Sequence, residues 1–394
     1  MATSVVPESL LSRNPHFRNE IADMIWPSCW EEDLDVWTGH AWSYTPLCIS
    51  VNATDPQLCV YTDTVFANGG GISIVAQPSM ARQLTKHPML QTPGLRVQSS
   101  GNHQKSTDQY EMQSLPGRGI GVVAKSKLER GTLLMSETPI IAFQQDTMKM
   151  PGSLGELFLL HKTAVERLPP KSRDTYMSMD DGGFVADFYG DRFESNAFNV
   201  LDYVLVFPMI ARINHDCRPN IEYYFDRKSF SNQVHVLRTI QPGEEITGSY
   251  ISHDMPFEKR SERLRDQWGF TCTCAACSAS REAIEASDNR LKQMKQFEEE
   301  LEQIKSRRTA LTETAERLIS LYEEENIHGP IAKAYEFAAL EYSYAGHKWK
   351  AKRYAKMAVD AGRLWRGPSD PGVKRMEALL ENPEIHPSWR RLSS

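Results

Sequence analysis

"RINHDCRPN" occupies residues 212–220 and packs Asn214, His215, Asp216, Cys217 and Asn220 into seven positions. Pro219 ends any helix here, so the segment reads as a turn that presents side chains. On composition such a turn either binds a polar ligand or satisfies its own buried backbone. A second stretch, "FTCTCAACS" at 270–278, places Cys272, Cys274 and Cys277 within six positions of a chain with seven cysteines. Structural zinc takes four ligands, and three are here. Cys217 is a candidate for the fourth; Cys29, Cys48, Cys59 and the eleven histidines are others. The spacing predicts a zinc site without choosing among them.

Outward from these two stretches the chain divides by pattern. Residues 220–250 read as strands, "NIEYYFD", "QVHVLRTI" and "EEITGSYI", with a Pro–Gly turn before the last. Residues 153–210 read as helical, from "SLGELFLLHKTAVERLP" to "FYGDRFESNAFNVLDYVLVFPMIARI". Nearer the N-terminus, "CVYTDTVF" and "ISIVA" read as strands joined by a turn at 68–71, and 98–109 as a polar loop. "FANGGGISIVAQP" and "SLPGRGIGVVAKS" share one form, a glycine-rich turn followed by a β-branched strand. One hairpin used twice is one explanation; the commonness of such turns is the other. From 281 onward the sequence is charged and helical. Tyr335, Ala338, Tyr342, Gly346, Ala351 and Ala358 fall at the offsets of a tetratricopeptide unit.

The chain has 394 residues, 40% of them hydrophobic, and a net charge of −6. That is room for two or three domains and argues against a global basic field for nucleic acid. No stretch approaches the ~20 apolar residues of a membrane span, and the N-terminus lacks a signal-peptide pattern. We therefore expect an intracellular protein with reduced thiols. Cys29, Cys48 and Cys59, set among Trp26, Trp30, Trp37 and Trp42, would become disulfide candidates if the chain were secreted.

The motifs occur in a recognisable order: "GRGIGVVAKSKLERGTLLMSE" (117–137), "NAF" (196–198), "NHDCRPN" (214–220), "GEEITGSY" (243–250) and "FTCTCAAC" (270–277). In this order they resemble a SET-domain protein lysine methyltransferase, nearest the SET–MYND (SMYD-type) branch and its fungal relatives without the MYND finger. The resemblance covers about residues 115–280, and the C-terminal helices extend it. It implies an α+β chain: a β-rich SET fold at 111–254 with a knot-like core and a helical insert at 153–210, a zinc-bound post-SET segment at 255–280, and a tetratricopeptide-like helical lobe at 281–394. Residues 1–110 fall outside it as a region of unknown role, apart from an extra SET-like hairpin at 58–77.

The resemblance also implies site roles. Tyr250 is the tyrosine at the methyl-transfer channel. Gly117, Arg118, Gly119, Asn196, Asn214, His215, Tyr250 and Phe270 contact S-adenosylmethionine (SAM), Phe270 on the adenine. Cys217, Cys272, Cys274 and Cys277 hold a structural zinc. The substrate is a lysine of a protein, histone or non-histone, with no direct nucleic-acid or membrane contact, and the helical lobe is a place for a protein partner. The setting is the nucleus or cytoplasm or both. The alternative is an inactive SET and zinc scaffold that binds proteins. Departures from the branch are Arg118 in place of Asn, Asp216 in place of a small Ser, and the missing MYND finger, since no cysteine lies between Met135 and Cys217. Glu244 and Glu245 read as solvated acids of the Pro–Gly turn.

Overall fold

The structure is a computed structural model, and it describes residues 42–50, 57–91, 108–148, 150–182, 187–303 and 309–391. Thirteen strands form three sheets among these residues. In chain order the first are β1 (Leu47–Ile49), β2 (Leu58–Asp63) and β3 (Ile72–Ala76), then the short helices α1 (Pro78–Leu84) and α2 (Pro88–Gln91). Next come β4 (Tyr110–Leu115), β5 (Gly119–Ala124), β6 (Leu133–Glu137) and β7 (Ile141–Gln144). Helices α3 (Leu154–Glu166), α4 (Pro170–Met177) and α5 (Gly190–Asn196) follow, then β8 (Ala197–Val200), β9 (Tyr203–Val206) and β10 (Asn214–His215). Strands β11 (Ile221–Asp226), β12 (Ser231–Val236) and β13 (Glu245–Gly248) complete the sheets. Helix α6 (Phe257–Trp268) leads to the lobe: α7 (Arg281–Glu302), α8 (Thr312–Glu324), α9 (Ile331–Tyr344), α10 (Lys348–Trp365) and α11 (Pro371–Glu381).

The largest sheet runs β1-β2-β3-β7-β9-β8. Every residue of β2 and β3 is buried, because each face of this sheet has its own core. Alternation sorts the side chains. Cys59, Tyr61, Ile72 and Ile74 join a core shared with the other two sheets. Leu58, Val60, Val75 and Phe143 face the other way, onto Leu157, Leu160 and Ala164 of α3. That helix starts at a capping box, Ser153 with Glu156. The other sheets, β10-β13-β5-β4 and β11-β12-β6, carry the motif segments.

Three expectations change. Within 1–110, the hairpin at 58–76 is not an added hairpin but part of the main sheet, since β3 pairs parallel with β7 (Ser73↔Ile141, Val75↔Phe143). The glycine-turn hairpins β2–β3 and β4–β5 lie in different sheets. Second, the helical insert ends at Asn196. Residues 197–206 form the antiparallel hairpin β8–β9, closed by a turn in which Leu201 takes φ 56. "YVLV" is a continuous apolar run because β9 is sandwiched between β7 and β8, and such a run has no period to separate strand from helix. Third, not all thiols outside the cluster are reduced. Cys48 and Cys59 face each other across β1 and β2 with Cα atoms 4.0 Å apart and form a disulfide. Cys29 and most of the polar stretch 98–109 lie outside the described residues.

In the lobe, α9 and α10 form the helix pair read from the tetratricopeptide-like offsets, with Ala338, Ala351 and Ala358 buried and Gly346 at φ 77 in the turn. The lobe packs on β11 and β12. A Cβ at Gly367 would sit 2.6 Å from the Tyr224 ring, so that contact requires glycine. Buried Glu325 holds the lobe to residue 218: it accepts from Arg218 Nη2, from Ser287 Oγ at 2.7 Å and from Arg290 Nε at 2.6 Å.

Candidate active site and metal centre

Strand β10 pairs parallel with β13, Asn214 opposite Thr247 and His215 opposite Gly248. The turn that follows stays on β13. Asp216 N donates to Gly248 O at 2.8 Å, Asn220 Oδ1 accepts from Thr247 N at 2.9 Å, and Asn220 Nδ2 donates to Glu245 O at 2.8 Å. Asn220 thus acts as a backbone mimic, and its two bonds bring "NHDCRPN" against "GEEITGSY".

His215 links this pair of segments to the cysteines. Its Nδ1 accepts from Tyr250 N at 3.0 Å, which assigns the ring proton to Nε2, 3.3 Å from Cys217 Sγ. Burial pushes the imidazole down to about 3, so it is neutral at physiological pH. Tyr250 donates its hydroxyl to Ile213 O at 3.0 Å, and burial raises its pKa, keeping it protonated. Its ring lies 5.3 Å from Trp268 and stands edge-on to Phe270 at 6.4 Å.

A cleft of about 580 Å³ opens beside these rings, lined by Gly117, Arg118, Gly119, Asn196, Asn214, His215, Tyr250 and Phe270, and also by Asp180, Arg212 and Trp268. All the residues expected at the cofactor therefore share one cavity. Gly117 and Gly119 have φ of 71 and 68. They close the β4–β5 hairpin in a conformation that favours glycine, whatever the cleft holds. Asn196 donates its amide nitrogen to Asp180 O (2.6 Å) and Arg192 O (2.8 Å), which fixes the side chain on the wall of the cleft.

Of the two turn acids, Glu244 fits the solvated reading: it pairs with Arg238 at 2.7 Å at the surface. Glu245 does not. It accepts from Asn214 Nδ2 at 2.9 Å and pairs with Arg118 Nε at 3.0 Å, while Arg118 Nη2 donates to His215 O at 2.8 Å. Glu245 therefore ties the Gly–Arg–Gly turn to the Asn–His strand. No local signal in "PGEEI" separates the two glutamates. Asp180 lies outside the motif segments and reaches the cleft only through the fold, whereas Arg212 opens "RINHDCRPN" and Trp268 stands two residues before Phe270, though no pattern marks either as a site residue.

The sulfurs of Cys217, Cys272, Cys274 and Cys277 lie within 4.8 Å of one another, with Cys217 and Cys277 at 3.5 Å. Tetrahedral zinc with Zn–S of ~2.3 Å sets sulfurs about 3.8 Å apart, so this set fits a four-thiolate ion. Cys48 and Cys59 are bonded to each other and so are excluded as the fourth ligand. The four thiols titrate together: hydrogen bonding within the cluster and burial hold Cys217 and Cys272 above the usual thiol range, and hydrogen bonds from the other thiols draw Cys274 and Cys277 below it. Asp216 beside the cluster is pushed up to about 6, by burial first and by Cys274 second.

Comparison with protein families agrees with this sheet, cleft and cysteine cluster: residues 119–251 match the SET domain. Among characterised proteins the chain is similar to "Histone-lysine N-methyltransferase set5" of Schizosaccharomyces pombe, 28% identical over 289 residues, or 71% of this chain and 86% of that protein. It is also similar to "N-lysine methyltransferase SMYD2" of Gallus gallus and Homo sapiens, each 38% identical over 89 residues. That match spans 21% of this chain and 20% of SMYD2, a single segment of the larger relative.

Proposed function

We propose that this protein is a SAM-dependent protein-lysine N-methyltransferase. The SET domain and the lysine methyltransferase relatives support protein lysine methylation with SAM. The observation that carries the site assignment is Tyr250, held at both ends of its residue, by His215 at the amide and Ile213 at the hydroxyl, on the wall of the cleft.

SAM, when bound, supplies an electrophilic methyl group on a sulfonium. The chain supplies position and environment. Asn214, the Gly117–Gly119 turn and Asn196 would hold the cofactor, and Phe270 and Trp268 would offer it aromatic faces. A free lysine has a pKa near ~10.4, so about one in 10³ is neutral at pH 7.4. The partly buried rings of Tyr250, Trp268 and Phe270 give the cleft an apolar wall, which disfavours the ammonium and raises the neutral fraction. The uncharged Tyr250 hydroxyl orients the amine without trapping it as a cation, so positioning supplies most of the acceleration. The cysteine cluster holds zinc; four thiolates leave no open position, so it is structural and fastens Phe270 over the cleft.

The substrate is a protein lysine, on a histone by likeness to set5 or on a non-histone protein. We place the protein in the nucleus, the cytoplasm or both, acting without direct nucleic-acid or membrane contact; a further protein partner would sit on the helical lobe.

Labelled-methyl transfer from SAM into core histones and, separately, a cell lysate tests the reading. Wild type labels a protein, and Tyr250→Phe loses about 10²-fold in rate while SAM affinity stays near wild type. A folded wild type that binds SAM and labels nothing would overturn it.

A further inference from the structure

Arg260, on the first turn of α6, is 1% exposed and is the largest fully buried side chain among the described residues. Burying a guanidinium is costly unless a negative charge faces it. Its hydrogen-bonded oxygens are neutral: Nη1 donates to Met255 O at 3.2 Å and Nη2 to Ala276 O at 3.2 Å. The one carboxylate within ion-pair range, Asp288, stands 3.9 Å away, is 31% exposed, and already accepts from Phe257 N at 2.9 Å. What the guanidinium also meets is the cysteine loop. Its Nε is buried without a hydrogen-bond partner, and the oxygen that takes Nη2 belongs to Ala276, the residue beside Cys277 in the cluster.

The cluster needs such a group. Four thiolates around a divalent ion keep a net charge of about −2, here among apolar Ile251, Leu264, Trp268 and Phe270. The two other nearby arginines are committed elsewhere, Arg118 to Glu245 and Arg218 to Glu325.

We propose that Arg260 is the buried counter-cation of the four-cysteine centre, offsetting its residual charge and, through Ala276 O, fixing the backbone between Cys274 and Cys277. This rests on the metal reading above. It explains why a charged side chain occupies a core position on α6, and it makes Arg260 a positioning residue for the metal rather than a ligand.

The test uses the full-length metal-loaded protein. Metal content per chain is measured first. A folded wild type without a stoichiometric metal overturns the metal reading itself, before any variant is made. Metal affinity is then measured by competition with a chromophoric chelator. Arg260→Gln keeps hydrogen-bonding capacity and removes the charge; Arg260→Lys keeps the charge and removes the fork. Loss of about 10–100-fold in affinity for Arg260→Gln, with Arg260→Lys within a few-fold of wild type, supports the counter-cation. Wild-type affinity in Arg260→Gln, or equal losses in both variants, overturns it in favour of a hydrogen-bonding pin. Should Arg260→Gln not fold, Arg260→Lys decides alone: near-wild-type affinity supports the proposal and a loss of about tenfold or more overturns it.

Discussion

At the scale of single residues, the site is set by contacts with no slack. A Cβ on Gly121 would stand 2.5 Å from Leu115 Cδ1, 2.7 Å from Asn214 Nδ2 and 2.9 Å from Glu245 Oε1. Gly121→Ala should therefore break the Asn214–Glu245 bond and weaken SAM binding, at a stability cost of about 1–3 kcal/mol; titration calorimetry and thermal melts read the two effects. Glu222 makes a second residue-scale prediction. Its carboxyl is buried with one weak backbone bond, from Tyr223 N at 3.3 Å, and burial pushes it from 4.5 up to about 8. His253, 3.8 Å away, is pushed down to about 4 by burial, so the pair is neutral rather than ionic near pH 6. The folded state holds the Glu222 proton that the unfolded state has lost between pH 4.5 and 8. Its contribution is present below 4.5 and fades as pH rises through that window. Denaturant titrations of Glu222→Gln should lack this decline, which amounts to a few kcal/mol at about 1.4 per pH unit. A wild-type slope in the variant would reject the assignment.

At the scale of elements, the joint between lobe and site runs through Glu325, just past the end of α8. Its side chain is 3% exposed and holds Arg218, the neighbour of Cys217, with Arg290. Glu325→Gln preserves shape and leaves two guanidinium groups without their carboxylate. We expect a loss of about 3 kcal/mol, read by chemical denaturation, larger than for an exposed pair such as Lys356–Asp360 on α10. Element type was legible where the period was clear. Strands β11, β12 and β13 and the α9–α10 pair stand where their patterns put them. The hairpin β8–β9 was hidden because burial on both faces erased its alternation. The N-terminal strands were legible as strands but not as members of the main sheet, since β3 meets β7 across some seventy residues of chain.

At the scale of the whole molecule, the cysteine cluster closes one end of the cleft. Cys217 sits in the turn after β10 and Cys272, Cys274 and Cys277 in the segment after α6; all pack in one cluster with Trp268 and Phe270, which also line the cleft. Stripping metal with a chelator should thus lower SAM affinity in step with metal loss while the α7–α11 lobe, with its own cores, keeps its helical circular dichroism. Loss of helix in parallel with metal would show instead that the lobe depends on the centre.

The sequence by itself determined the chemistry on offer: a thiol set, an Asn–His pair before a proline turn, a tyrosine after a Pro–Gly strand, and glycines where the β4–β5 turn takes positive φ. These are local facts, carried by residue type and short spacing. Only the tertiary structure decided which of them meet. It chose Cys217 over Cys48 and Cys59, separated Glu245 from Glu244, brought Asp180 and Trp268 to the cleft, and set Arg260 against the cysteine loop. Ligand sets and ion pairs are defined by distances of a few ångströms in space, and those distances exist only once Asn220 and β13 have drawn the two motif segments together.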